Sequence, residues 1–270
     1  MIQTHWRDLG ALDGPVLAFG GPYSNLHATE ALIVEASRLG VPPGNAICTG
    51  DVVAYCGSPA ETVAAIRDWG CAVVAGNCEE QLAAGAADCG CGFEEGTVCD
   101  ALSAEWYAYA SARISNEVRR WMAATPERIA FAHRGARWAV IHGGATDVSR
   151  FIWPGQRDVI REEIAALEAE AGPFDGVIAG HCGLAFIEEV DGRLWVNAGV
   201  IGMPENDGTR DVSYCVLDEV PVLHRLTYDT AAAAKAMSGR ATPYAAALRT
   251  GRWPSEDVLP PDLRRAVAAE

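Results

Sequence analysis

The chain has no apolar run of about 18 residues, the length a membrane-crossing helix needs, so no transmembrane span and no membrane partner is expected. Its opening residues, Met1-Ile2-Gln3-Thr4-His5-Trp6-Arg7-Asp8, lack both the basic start and the apolar core of a secretory leader, which points to a cytoplasmic location. Positive charge is scarce: 21 Lys and Arg stand against 36 Asp and Glu, a formal net charge of −15. That balance excludes a broad phosphate-tracking surface for a nucleic-acid duplex. It leaves room for a small anion, because a bound cation can dominate the local field. Internal repeats and low-complexity linkers are also missing, and the 270 residues, half of them hydrophobic, suit one large α/β domain or two small ones, with a single domain over 1–270 as the expectation. The nine cysteines are odd in number and scattered, and do not read as a secreted disulfide framework.

Several short apolar runs are present, each stopped by glycine. Val16–Phe19 reads as a first strand after a lead-in over 1–14, and a helix is expected from about Ser24 to Arg38. Ser58-Pro59-Ala60-Glu61 has the spacing of a capping box with proline at the first helical position, and Gly70 ends that helix. Strand alternating with helix is the pattern of βαβ units. From about 81 to 128 the pattern becomes helical, an insertion without strands. Strands resume near Ile129–Phe131 and Trp138–Ile141, Arg157–Ala171 reads as a helix, and 177–228 reads as successive strands with an Asp191-Gly192 hairpin turn. The Ala-rich stretch from about 229 to 270 is expected to be a helical extension with a Pro-containing tail.

Four of the apolar runs end in a residue able to bind a metal. Ala46–Gly50 leads to Asp51, Ala72–Gly76 to Asn77, Trp138–Ile141 to His142 and Val177–Gly180 to His181. Runs this short read as buried parallel-type strands, and ligands of open α/β sheets bind beyond the carboxyl ends of such strands. One carboxylate, one amide and two imidazoles would then meet at one place, a donor set suited to a divalent first-row metal.

With these residues in this order, the chain resembles the calcineurin-like metallophosphoesterase superfamily, and in particular its small bacterial phosphodiesterase and dinucleotide-polyphosphatase-like branch. Gly50-Asp51 resembles the GD motif, Gly76-Asn77-Cys78-Glu79 the GNHD motif, His142-Gly143 the VHG motif, Gly180-His181-Cys182-Gly183 the GHTH motif, and Val196–Gly202 the VNPGSVG loop. The resemblance covers about 15–250. It implies a mixed α/β fold, a four-layer αββα sandwich of two mixed β-sheets flanked by helices. It also implies metal-dependent hydrolysis of a phosphate mono- or diester, with a phosphorylated small molecule as partner and Mn, Fe, Zn or Mg as cofactor.

The chain departs from the family pattern at one metal site. The Asp-x-His positions hold Gly21 and Tyr23, and the second histidine of GHTH is Gly183. The resemblance therefore implies one metal, held by Asp51, Asn77, His142 and His181, rather than a full binuclear pair. Cys78 stands where the family has a phosphate-contacting histidine and Glu79 where it has that histidine's orienting aspartate. Cys78 can act as acid or nucleophile only if a nearby cation lowers its pKa; otherwise it is a ligand or a small filler. Two functional classes stay open: a metal-dependent phosphoesterase, or a catalytically impaired relative that binds metal or a phosphorylated ligand.

Secondary candidates accompany these. Tyr23 offers a phenolate to a ferric ion or, more simply, packs; His5, His133 and His224 read as structural or exposed, and His27 as a weak ligand. Cys78, Cys89, Cys91 and Cys99 have the spacing C-x10-C-x-C-x7-C, lacking a C-x2-C knuckle. They read as free buried thiols, with a structural zinc or a Cys89–Cys99 disulfide as alternatives; Cys182 lies beside His181. Trp106, Tyr107, Tyr109 and Trp121 read as helical core, with a nucleobase pocket above the metal as the alternative.

Overall fold

Alternation along individual strands decides the architecture. Successive residues of a strand face opposite sides of its sheet. In β2 (Val16–Phe19) all four residues are buried, but Leu17 and Phe19 pack into one apolar cluster while Val16 and Ala18 pack into another. In β6 (Ala136–Val140) Trp138 and Val140 join that second cluster, whereas Ala139 packs with Ile141 into a third. A strand buried on both faces needs a partner layer on each. In this computed structural model, which describes residues 5–237 and 243–265, the result is a four-layer αββα sandwich.

The inner layers are two mixed sheets. The larger has the order β1 (Trp6–Ala11), β5 (Arg128–His133), β6, β7 (Gly176–Ala179), β9 (Arg193–Ala198), β8 (Ala185–Val190). In the smaller, β10 (Val212–Leu217) runs antiparallel to both β2 and the edge strand β11 (Pro221–Leu226), and β3 (Ala46–Cys48) and β4 (Ala72–Val73) run parallel to β2. The helices α1 (Leu26–Arg38), α2 (Pro59–Trp69), α3 (Asn77–Ala84), α4 (Val98–Ser111) and α5 (Asn116–Ala123) cover the smaller sheet. The helices α7 (Thr230–Ala236) and α8 (Pro243–Thr250) join the same cover. The larger sheet is covered by α6 (Arg157–Ala171) through Ile160, Ile164 and Leu167. No helix among the described residues is long and apolar enough to cross a membrane.

The differences from sequence expectation have local causes. The expected lead-in contains β1, paired parallel to β5; it is an edge strand in which most residues are exposed, so no apolar period marks it. The helix expected from Ser24 begins at Leu26, with Asn25 Oδ1 accepting from the Ala28 N–H at 3.2 Å. The capping box at Ser58 does not form: α2 begins at Pro59 without a side-chain cap, although Gly70 ends it in the left-handed conformation as expected. The C-terminal extension is helical only to Thr250. From Gly251 to Arg265 the chain is irregular apart from a 3-10 turn at Pro261–Leu263, while 266–270 and 238–242 lie outside the described residues.

The two sheets are in close contact where β3 and β7 end. A Cβ at Gly180 would fall well inside van der Waals contact distance of Thr49 Oγ1, and one at Gly20 would lie 2.7 Å from the same atom. Glycine is required there because a side chain would push the strand ends apart. Gly180→Ala is therefore expected to cost about 1–3 kcal/mol, seen in thermal unfolding as a melting temperature lower by several degrees.

Candidate metal centre

Each sheet sends two strand ends to one point. Asp51 follows β3 and Asn77 opens α3 just after β4, while His142 and His181 follow β6 and β7. One ligand atom each of Asp51, His142 and His181 lies within 4.8 Å of the others, and all three residues are buried. Nε2 of His142 stands 3.0 Å from Asn77 Oδ1, 3.0 Å from His181 Nδ1 and 3.4 Å from Asp51 Oδ2.

The protons in this cluster are fixed by its surroundings. His142 Nδ1 lies 2.6 Å from the Thr49 carbonyl, which can only accept, so Nδ1 carries a proton and Nε2 is the nitrogen that faces inward. The Asn77 amide nitrogen donates to the Cys89 carbonyl at 2.9 Å, which turns Oδ1 toward His142. Burial, reinforced by nearby His142, lowers the His181 pKa to about 3 and keeps its imidazole neutral. Burial alone would raise the Asp51 pKa, but the two histidines and its hydrogen bonds hold it down at about 2. Burial likewise opposes a charge on His142, and the Asp51 carboxylate overrides it and raises the pKa. A carboxylate, an amide oxygen and two inward-facing imidazole nitrogens thus converge on one point. A cation satisfies such a set, and nitrogen and oxygen donors fit a first-row divalent metal.

Glu79 braces the cluster. Its fully buried carboxylate accepts the N–H groups of Asp51 at 2.7 Å, Val52 at 2.9 Å and Gly76 at 3.0 Å, joining the loop after β3 to the start of α3. Burial and the neighbouring Asp51 charge raise its pKa to about 7. Asp51 Oδ1 also accepts from the Cys78 N–H at 3.3 Å, in the first turn of α3 where the helix dipole favours an anion. Burial, Asp51 and Glu79 all push the Cys78 thiol well up. Burial also raises Cys182, to about 12, and its sulfur lies 3.2 Å from the Asn197 amide that holds the Gly180 carbonyl.

A cavity of about 80 Å³ opens over the cluster, with Asp51 and His181 among its lining residues. Among the described residues, four of the eight non-glycine positions with positive φ line it: Tyr23, Asp51, Tyr55 and His181. Backbone strain of this kind concentrates at functional sites. The Tyr23 ring lies directly over Gly21, with Cζ 2.5 Å from where a Cβ would stand, and burial beside Asp51 keeps its phenol protonated. Trp253 closes over Gly183, where a Cβ would lie 3.2 Å from its Cζ2.

A sequence profile of the calcineurin-like phosphoesterase superfamily domain matches residues 23–220. The chain belongs to this superfamily. Its similarity to the uncharacterized protein MJ0912 of Methanocaldococcus jannaschii is 25% identity over 205 residues, 73% of this chain and 79% of the relative. Among solved structures, a metallophosphoesterase from Sphaerobacter thermophilus aligns with a TM-score of 0.67 at 19% identity, covering 88% of this chain and 99% of the other. The hypothetical protein PH1004 from Pyrococcus horikoshii OT3 aligns at 0.68 and 14% identity, covering 82% and 91%. These two likenesses establish the phosphoesterase fold.

Other site expectations are corrected. Cys89 and Cys91 are joined to each other by a disulfide, so they are neither free thiols nor zinc ligands with Cys99, and no Cys89–Cys99 bridge forms. Trp106 and Tyr107 are core residues of the helical insertion, and none of Trp106, Tyr107, Tyr109 and Trp121 lines the cavity over the phosphoesterase cluster. Its walls hold Phe93, Phe151, Tyr244 and Trp253 instead, from loops and the C-terminal segment where no sequence pattern marked them. His133 is structural, placed between the Leu12 and Asp218 carbonyls at 3.0 and 2.8 Å.

Replacing Glu79 by glutamine puts an amide NH₂ against N–H donors while keeping the shape. Glu79→Gln is expected to weaken Mn²⁺ binding about 10–100-fold through displacement of Asp51, measured by titration calorimetry on the folded variant.

Proposed function

We propose that the protein is a metal-dependent phosphoesterase that works with one cation, held by Asp51, Asn77, His142 and His181. The observation that carries this is the convergence of their acceptor atoms, with the proton of His142 committed to Thr49 and the amide of Asn77 committed to Cys89. When bound, a divalent cation supplies Lewis acidity, lowering the pKa of water toward about 7 and polarising a phosphoryl oxygen. The chain's own part is to hold that charge rigidly and to shield it. Glu79 and the Cys78 N–H fix Asp51, Thr49 fixes His142, and the cavity walls restrict water.

Gly21, Tyr23 and Gly183 support the single-cation reading. They stand where the family pattern places ligands of the second metal, and the rings of Tyr23 and Trp253 occupy the space beside the two glycines. The same departures favour a second reading, a binding module for a metal or phosphorylated ligand without turnover. Hydrolysis separates the two.

Purified protein loaded in turn with Mn²⁺, Fe²⁺, Zn²⁺ and Mg²⁺ is expected to bind about one metal per chain, determined by elemental analysis, and to hydrolyse p-nitrophenyl phosphate or bis(p-nitrophenyl) phosphate. The double variant Asp51→Ala/His181→Ala should lose both properties. Hydrolysis that survives the double variant would sink the assignment, and metal binding without hydrolysis would leave the binding module.

A further inference from the structure

The cavity over the metal centre is walled by aromatic rings and carries almost no charge. Two chains of ring contacts run along its lining. In one, Phe93 lies 6.0 Å from Phe151, and Phe151 lies 4.4 Å from the imidazole of His181. In the other, Tyr23 lies 4.7 Å from Tyr55, and Tyr55 lies 4.7 Å from Tyr244. Trp253, half-buried and anchored by its indole N–H on the Pro204 carbonyl at 2.6 Å, adds a further wall.

Among the described residues lining this cavity there is no arginine or lysine, and Asp51 is the only acidic side chain. Sites that take polyphosphates or phosphate dianions supply guanidinium, ammonium or helix N-terminal groups for each added charge. This one offers a single cation position in a protein of net charge −15, whose field opposes the entry of a polyanion. Rings on the walls favour a flat apolar group, which packs by stacking and edge contacts.

We infer that the substrate class is a singly charged phosphodiester bearing an aromatic group, with the phosphate at the metal centre and the ring against Phe93, Phe151 and Trp253. Nucleotide polyphosphates are excluded by charge. This inference rests on the metal-centre reading for the seat of the phosphate, but the ring contacts have a readout of their own.

The test is binding of two monoanions of equal charge, phenyl phenylphosphonate and methyl methylphosphonate, by titration calorimetry with and without saturating Mn²⁺. The phenyl compound is expected to bind at least about tenfold more tightly. Phe93→Ala and Trp253→Leu, where folded, should each remove most of that preference while leaving Mn²⁺ binding near the parent value. Phe93 is half-buried in a loop, so its variant keeps the comparison interpretable if the tryptophan variant unfolds. Equal affinity for the two phosphonates, or a preference unchanged in both folded variants, overturns the inference and leaves the phosphoesterase assignment intact. Failure to bind any metal overturns the assignment instead, and the phenyl-over-methyl comparison is then read on metal-free protein. On substrates, kcat/KM for bis(p-nitrophenyl) phosphate should exceed that for ATP at saturating free Mn²⁺, and the reverse order overturns the charge argument.

Discussion

The hydrogen bond from His142 Nδ1 to the Thr49 carbonyl, 2.6 Å long and fully buried, ties the end of β6 in the larger sheet to the end of β3 in the smaller one. It settles two things together. It sets how the carboxyl ends of the two sheets meet, and it commits the only exchangeable proton of a neutral His142 away from the cluster. The close approach it requires is possible because glycine occupies positions 20 and 180 on either side of Thr49. Glu79 does the corresponding work within the smaller sheet, drawing the loop after β3 and the start of α3 onto one carboxylate.

Around this braced cluster the chemistry is one-sided. Acceptor atoms face inward, Asn77 and His142 each spend a donor on a backbone carbonyl, and the space above is lined by rings rather than charges. Such an arrangement suits a cation and would give it a low-dielectric setting, where its charge acts strongly. Tyr23 belongs to the same logic: a neutral phenol over a glycine is compatible with an apolar chamber, whereas a carboxylate at position 21 would call for a second cation.

The parts of the fold legible in the sequence are those where burial leaves a periodic trace. Arg157–Ala171 shows its apolar face at Ile160, Ile164 and Leu167, and Asp191-Gly192 announces the hairpin between β8 and β9. The ligand candidates Asp51, Asn77, His142 and His181 were visible because each follows a short buried strand. By contrast, β1 is an exposed edge strand with no such trace, and Ser58 has the letters of a capping box without making its bond. Cys89 and Cys91 carried no sign of their bond, since spacing alone does not bring two sulfurs together.

By itself the sequence determined the alternation of strand and helix, the residues available to a metal, and the glycine and tyrosine substitutions at 21, 23 and 183. These are local properties, written in period and in residue type. Only the tertiary structure decided that Glu79 braces the loop after β3, and that the chamber walls come from Phe93, Phe151, Tyr244 and Trp253. Those residues are separated by up to 160 positions in the chain. Their meeting depends on how the C-terminal segment after α8 folds back across the strand ends, a packing outcome to which no single stretch of the chain is committed.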